Sequence, residues 1–144
     1  MGTSQVAVDA SFVLKIFLPE ASSEKADELW KSWIRDSIEV IAPTLIVFET
    51  SSVLRNKVYR GILGEADASR LIDKLGQLEI SLVYTKELME MAWEIGKTLK
   101  TSSLYDTYYI AVAKLLKIGL WTADEKLYKS AHRYYPFINK LTLI

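Results

Sequence analysis

The 144-residue sequence contains no cysteine and only one histidine, His132. The absence of cysteine excludes disulfides, thiolate metal ligands and cysteine nucleophiles, and a single histidine leaves little scope for imidazole metal sites or serine–histidine catalysis. No apolar run approaches the roughly 18 residues that a membrane span needs, and the opening MGTSQV lacks the pattern of a signal peptide. We therefore expect a cytoplasmic protein whose chemistry depends on carboxylates.

The sequence also lacks a charge excess of either sign. Eighteen basic and eighteen acidic residues give zero net charge, so the overall charge does not indicate a nucleic acid, a membrane or an acidic partner. Hydrophobic residues make up 50% of the chain, which is enough for a substantial core at this length. No repeat or linker interrupts the sequence, and we predict one domain covering residues 1–144.

Short apolar runs alternate with segments of helical period along the chain. The predicted strands are QVAV (5–8), IEVIA (38–42), ISLVY (80–84), GLWTA (119–123) and INKLTLI (138–144). The predicted helices cover residues 11–17, 22–34, 43–61, 64–78, 85–100, 102–119 and 124–131. This alternation predicts an α/β fold with a mainly parallel central sheet flanked by helices on both faces.

Four acidic residues stand where an acid is unusual. Asp9 and Asp124 each follow a predicted strand, at the edge of a parallel sheet where sites form. Glu49 comes four residues after Leu45 in mid-helix, so it shares the apolar face, where a lone glutamate is rare. Asp106 lies in the first turn of an almost wholly apolar helix and is predicted to point inward. The four acids are therefore candidates for one site.

Each acid also has an ordinary structural explanation. Asp9 could cap the helix that follows it, and the segments Ser103–Asp106 and Thr122–Glu125 both fit the capping-box pattern. Glu49 has no capping role in mid-helix, but a single Arg or Lys could pair with it. Four such acids at one edge of the sheet are better explained by one shared function than by four separate structural roles.

Clustered carboxylates point to a divalent cation. They repel one another and raise one another's pKa, so a cluster that is ionised at neutral pH requires a cation. Oxygen ligands without histidine or cysteine select Mg²⁺ or Mn²⁺. Such ions can activate a water molecule and stabilise an in-line displacement at phosphorus. The residues by themselves thus indicate nuclease or phosphatase chemistry.

The segments around the four acids resemble the motifs of PIN-domain ribonucleases. VDAS, FET, SLYDTYYIAVA and LWTADEKLYK occur in the order of that family, and the similarity covers essentially the whole chain. It is strongest to VapC-type toxins of toxin–antitoxin pairs. The resemblance implies a catalytic and metal-binding pocket made of Asp9, Glu49, Asp106 and Asp124.

The resemblance also implies a division of roles within this pocket. Asp9 and Asp106 would hold the principal ion, and Glu49 and Asp124 would orient the attacking water or help to hold a second ion. Two hydroxyl residues would support these acids, namely Ser11 and Thr122. The implied activity is hydrolysis of RNA phosphodiester bonds by a metal-activated water, with one or two Mg²⁺ or Mn²⁺ ions.

The implied partners are an RNA substrate, a second copy of the chain and a VapB-like antitoxin that covers the active-site groove. Basic residues near the acids are candidate RNA contacts, although a solvated helix face explains them equally well: Arg55, Lys57, Arg60, Lys126, Lys129 and Arg133. Most of the four tryptophans, and the three tyrosines of SLYDTYY, are predicted to be core residues rather than binding surfaces.

Two other classes of function stay open at this point. The chain could be a PIN-like subunit that binds proteins and leaves its pocket unused, although all four acids are present. It could also be another magnesium-dependent phosphohydrolase, but the segment DASFV lacks the second acid of a DxDxT motif. P-loop and Rossmann phosphate sites are excluded because neither glycine motif occurs.

Overall fold

A computed structural model describes residues 4–141 of the protein. Its five strands form one sheet in the order β3-β2-β1-β4-β5, and all four neighbouring pairs are parallel. The strands are β1 (Gln5–Val8), β2 (Glu39–Pro43), β3 (Ser81–Val83), β4 (Leu120–Thr122) and β5 (Ile138–Lys140). The helices are α1 (Ala10–Phe17), α2 (Ser23–Arg35), α3 (Leu45–Tyr59), α4 (Glu65–Gln77), α5 (Lys86–Leu99), α6 (Tyr105–Leu116) and α7 (Glu125–Ala131).

Both faces of the central strands are covered. Val6, Ala7 and Val8 are all buried, although successive side chains of a strand point to opposite faces. Helix α6 packs against three strands, β1, β2 and β4, and α1 packs against β4 and two helices, α2 and α3. The sheet is therefore enclosed by helices, which explains why the strands are continuous apolar runs.

The order of the strands determines where a site can form. The chain adds β2 and then β3 on one side of β1, and later places β4 on the other side of β1. A change of direction of this kind opens a crevice beyond the carboxyl ends of the two central strands. Asp9 directly follows β1 and Asp124 lies two residues after β4, so both acids lie at this crevice.

The predicted parallel α/β fold is confirmed, and the differences lie at the ends of elements. The predicted strand 80–84 is shortened to Ser81–Val83, and the helix predicted from residue 102 begins at Tyr105. The capping box predicted at Ser103 does not form, because Leu104 occupies the N-cap position. Residues 1–3 and 142–144, which the predicted domain and last strand include, lie outside the described residues. Between residues 4 and 141, no helix is both long and apolar enough to cross a membrane.

Gly96 allows α5 to pack closely against the segment that leads into α6. A Cβ atom added at Gly96 would lie 2.5 Å from Cδ2 of Leu104. Leu104 immediately precedes α6 and stands two residues before Asp106. The absence of a side chain at Gly96 therefore helps to determine where the first turn of α6 lies.

We expect Gly96→Ala to lower the free energy of unfolding by about 1 kcal/mol or more, because overpacking outweighs the gain in helix propensity. The matched control is Gly76→Ala in α4, where an added Cβ meets nothing within 4 Å; this change should stabilise by up to about 1 kcal/mol. Urea denaturation of both variants measures the two effects. Equal stabilisation by both would show that Leu104 can move aside without cost.

Candidate active site

Asp9 is a buried carboxylate whose two oxygens both accept hydrogen bonds. It is only 4% exposed and occupies the N-cap of α1, where its Oδ1 accepts hydrogen bonds from the Phe12 amide at 2.9 Å and Ser11 Oγ at 2.7 Å. Its Oδ2 accepts a bond from Thr122 Oγ1 at 2.5 Å. Asp9 therefore caps α1, as the sequence predicted, and it also lies at the crevice.

The two hydroxyl residues also join the ends of β1 and β4. Ser11 Oγ accepts a hydrogen bond from the Ala123 amide at 3.0 Å, and Thr122 Oγ1 accepts one from the Asp124 amide at 2.9 Å. The two hydroxyl oxygens lie 3.2 Å apart. Ser11 and Thr122 thus contact Asp9 directly and also position the backbone that leads to Asp124.

Asp124 is half-buried and forms the N-cap of α7. Its Oδ1 accepts hydrogen bonds from the amides of Lys126 and Leu127 at 2.9 and 3.1 Å. Its Oδ2 has no hydrogen-bond partner within residues 4–141. Asp124 is therefore a cap that keeps one carboxylate oxygen available at the crevice.

Glu49 is half-buried on α3 and is bound by a tyrosine. Tyr109 on α6 donates its hydroxyl proton to Glu49 Oε1 at 2.5 Å. In the described part of the chain no Lys or Arg pairs with Glu49, so the basic partner considered above is not found there. The sequence predicted Tyr109 only as a core residue. The feature that could have indicated its contact with the site is its position three residues after Asp106, on the same helix face.

Asp106 differs from the prediction that it points inward. It lies in the first turn of α6 but is exposed. It accepts no hydrogen bond from any described residue, and it does not cap its helix. Thr107 in the same turn is fully buried, so this turn has a buried side and an open side, and Asp106 lies on the open side.

The four acids influence one another electrostatically. Burial raises the pKa of Asp9 to about 6, and the charge of Asp124 adds to the effect, while hydrogen bonds from neighbouring groups partly oppose it. Burial and the charge of Asp106 raise the pKa of Glu49, although the Tyr109 hydrogen bond opposes this. The pKa of Asp106 is raised by partial desolvation and by Asp124. Each of the four carboxylates thus senses the charge of at least one other, and we refer to Asp9, Glu49, Asp106 and Asp124 together as the acidic cluster.

No basic side chain within residues 4–141 forms an ion pair with an acid of this cluster. Each of the ion pairs found in residues 4–141 involves other acids, most of them at exposed positions. Burial raises the pKa of Tyr109, and the charges of Glu49, Asp9 and Asp106 raise it further, so this neighbour is a neutral donor. The negative charge of the cluster is left for a ligand to balance.

The donor set suits a hydrated divalent ion. It consists only of oxygen atoms, which Mg²⁺ and Mn²⁺ prefer. No three acidic or histidine side chains of the described residues lie close enough together to enclose an ion. Mg²⁺ commonly retains several waters and binds through one or two carboxylates, so an open arrangement of this kind fits it.

The basic residues considered as RNA contacts have mixed surroundings. Arg55 forms two hydrogen bonds of 3.0 Å to Glu65, Lys129 lies 3.5 Å from Glu125, and the Arg133 guanidinium lies over the ring of Tyr134. Lys57 lies 4.0 Å from Glu20. Lys126 and Arg60 are exposed. A contact between these residues and RNA stays a prediction.

The prediction that most of the tryptophans are core residues is confirmed, whereas one of the three tyrosines departs from its prediction. Trp30 and Trp33 are buried and Trp121 is half-buried, in line with the preference for core positions. Trp93 is 61% exposed and Tyr105 is 63% exposed. The prediction of a core role for all three tyrosines of SLYDTYY is therefore wrong for Tyr105. This residue begins α6 and comes before the first buried residue of that helix.

The fold agrees with the comparisons to known proteins. The family of PIN domains matches residues 6–133, and the chain belongs to this family. Ribonuclease VapC9 of Mycobacterium tuberculosis is 29% identical over 131 residues, which are 91% of this chain and 94% of the relative. The resemblance to VapC-type proteins drawn from the motifs is thus confirmed.

Solved structures with the same fold extend over nearly the whole chain. The crystal structure of PAE2754 from Pyrobaculum aerophilum superposes with a TM-score of 0.70 at 19% identity, covering 99% of this chain and 94% of that one. A toxin–antitoxin complex from Klebsiella pneumoniae gives a TM-score of 0.62 at 14% identity, covering 94% and 97%. At these identities the similarity concerns the fold.

The raised pKa of Asp9 predicts a specific pH dependence of stability without metal. Since the pKa lies above its ordinary value of 3.8, the stabilisation by protonation is fully present below that value and is lost as the pH rises through about 6. One pKa unit is worth about 1.4 kcal/mol. In EDTA, Asp9→Asn should therefore gain about 3 kcal/mol in free energy of unfolding relative to wild type between about pH 3 and pH 7.

Urea denaturation across this pH range measures the difference. The exposed Asp73→Asn in α4 is the matched control and should show no such change. A constant difference between Asp9→Asn and wild type at all pH values would contradict the raised pKa.

Proposed function

We propose that this chain is a metal-dependent endoribonuclease and the toxin of a type II toxin–antitoxin system. The observation that carries the proposal is the cluster of Asp9, Glu49, Asp106 and Asp124 at the carboxyl ends of β1 and β4, with no basic side chain among residues 4–141 to neutralise it. The match of 91% of the chain to a VapC ribonuclease supports the same activity. The substrate class is RNA.

The carboxylate oxygens that are not hydrogen-bonded indicate how the cluster would hold Mg²⁺ or Mn²⁺. Among the described residues these are both oxygens of Asp106, Oδ2 of Asp124 and Oε2 of Glu49. Asp9 adds a carboxylate whose orientation is fixed by three hydrogen bonds. When bound there, one or two divalent ions supply activation of a water molecule and stabilisation of negative charge at phosphorus.

The side chains of the site would act mainly by orientation. Ser11 and Thr122 prevent Asp9 from rotating, since each donates to a different oxygen of its carboxylate. The α7 amides hold Asp124 in the same way. Carboxylates fixed in this way would keep their orientation towards a bound ion, and orientation of this type is a large part of catalysis.

We also propose a protein partner and a second copy of the chain. The Klebsiella structure is a toxin–antitoxin complex, and the present chain carries large apolar side chains on its surface that suit protein contacts. They include Val47, Phe48, Leu82, Tyr84 and Trp93, each at least 46% exposed. We expect an antitoxin and a homodimer to cover part of this surface.

Cleavage of RNA by the purified, antitoxin-free chain tests the activity. We expect structured or single-stranded RNA to be cut in Mg²⁺ or Mn²⁺, to leave 5′-phosphate and 3′-hydroxyl ends, and to stay intact in EDTA. Asp9→Asn should lose most of the activity, because Asp9 is a proposed ligand of the ion that activates the attacking water. Gel analysis of end-labelled RNA gives both rate and end groups.

The control for this assay is Asp73→Asn, which removes an exposed acid from α4 and should cleave like wild type. Cleavage that persists in EDTA, or a 2′,3′-cyclic phosphate product, would contradict the metal-dependent hydrolysis. No cleavage of any RNA by a chain that binds its antitoxin would favour a protein-binding subunit instead.

The proposed homodimer is tested by light scattering of the purified chain. We expect twice the mass of one chain, and we expect Tyr84→Glu to shift the population to monomers, because burying a charge in an apolar interface is costly. A monomeric wild type at all concentrations would contradict the dimer while leaving the ribonuclease proposal in place.

A further inference from the structure

Tyr109 is a core residue that also contacts one of the four acids. The side chain is only 2% exposed, and it shares the buried face of α6 with Ile110 and Ala113. Its hydroxyl nevertheless reaches Glu49 Oε1 at 2.5 Å. A rigid core residue therefore ends in a hydrogen-bond donor directly at the site.

The bond between Tyr109 and Glu49 joins two helices that are distant in the sequence. Glu49 belongs to α3 and Tyr109 to α6, 60 positions apart in sequence. Within residues 4–141, no other hydrogen bond links α3 to α6. Among the described residues the Glu49 carboxylate makes no other hydrogen bond and no ion pair, so this bond is the polar contact that holds it near Asp106, whose charge it senses.

The donor also differs from a basic residue in its effect on the site. A Lys or Arg in this place would hold Glu49 equally well, but it would neutralise the carboxylate and compete with a bound cation. The tyrosine hydroxyl orients the carboxylate and adds no positive charge. It occupies Oε1 only, and Oε2 accepts no hydrogen bond from the described residues.

We propose that Tyr109 is a positioning residue, which holds the Glu49 carboxylate at the acidic cluster so that Oε2 is available to a divalent ion. This inference rests on the proposed metal-dependent function. Tyr109 itself touches neither the ion nor the RNA and acts through Glu49. Groups that orient metal ligands in this way typically contribute tenfold or more to metal affinity.

The test is Mn²⁺ binding to the antitoxin-free chain, measured by isothermal titration calorimetry without RNA. Tyr109→Phe keeps the ring in the core and removes only the hydroxyl. We expect it to weaken Mn²⁺ binding about tenfold. Tyr108→Phe is the matched control, because Tyr108 is a half-buried neighbour whose hydroxyl makes no hydrogen bond within the described residues; it should bind Mn²⁺ like wild type.

A double-mutant cycle separates positioning from a general effect on the fold. If Tyr109 acts through Glu49, Tyr109→Phe should cause no further loss of Mn²⁺ affinity in a Glu49→Ala background. A loss of the same size in that background, or wild-type affinity of Tyr109→Phe alone, would overturn the proposal. If Tyr109→Phe does not fold, Glu49→Asp replaces it, since the shorter side chain withdraws the carboxylate from Tyr109; unchanged Mn²⁺ affinity of Glu49→Asp would then overturn it.

RNA cleavage supplies a second readout that separates this proposal from the proposed function. In Tyr109→Phe the Mn²⁺ concentration for half-maximal cleavage should rise about tenfold, with KM for RNA unchanged and kcat restored by excess Mn²⁺. A kcat that excess Mn²⁺ does not restore would overturn the positioning role. If wild type cleaves no RNA, the proposed activity fails, and the calorimetric cycle still decides the role of Tyr109.

Discussion

The structure depends on one buried carboxylate that no basic side chain of the described residues neutralises. Asp9 lies between the ends of β1 and β4, where an ionised acid is costly unless hydrogen bonds compensate it. Ser11, Thr122 and the Phe12 amide supply those bonds. The same two hydroxyl oxygens accept hydrogen bonds from the backbone amides that follow β4. The groups that offset the cost of burying Asp9 therefore also hold the backbone at the crevice.

The rest of the acidic cluster extends this constraint. Glu49 and Asp124 are each held through one carboxylate oxygen, and Asp106 is held through neither. The carboxylates that accept hydrogen bonds are thus held in place, but the charges of the cluster are not neutralised. Their mutual repulsion lowers the stability of the chain when no ligand is bound. Violations of this kind concentrate at functional sites, where binding of the ligand compensates them. The excess negative charge is thus the property that makes the site suitable for a divalent cation.

The fold was largely predictable because its signals are local. Buried parallel strands require apolar runs, and the long crossings between them require helices, so the alternation alone indicates the architecture. Asp9, Glu49 and Asp124 were recognisable because each breaks a local pattern. The predictions that Asp106 points inward and that Tyr105 belongs to the core were wrong, because both depend on packing between elements. Helical period tells which residues share a face, but not whether another element covers that face.

The sequence by itself determined the class of fold, the oxygen-only chemistry of the site and the membership of the four acids in one motif set. Only the tertiary structure decided which carboxylate oxygens are occupied and which residue holds Glu49. The hydrogen bond from Tyr109 spans 60 positions, and the bond from Thr122 to Asp9 spans 113. Contacts of this length depend on how distant elements pack together, and periodicity along the chain carries no information about that packing.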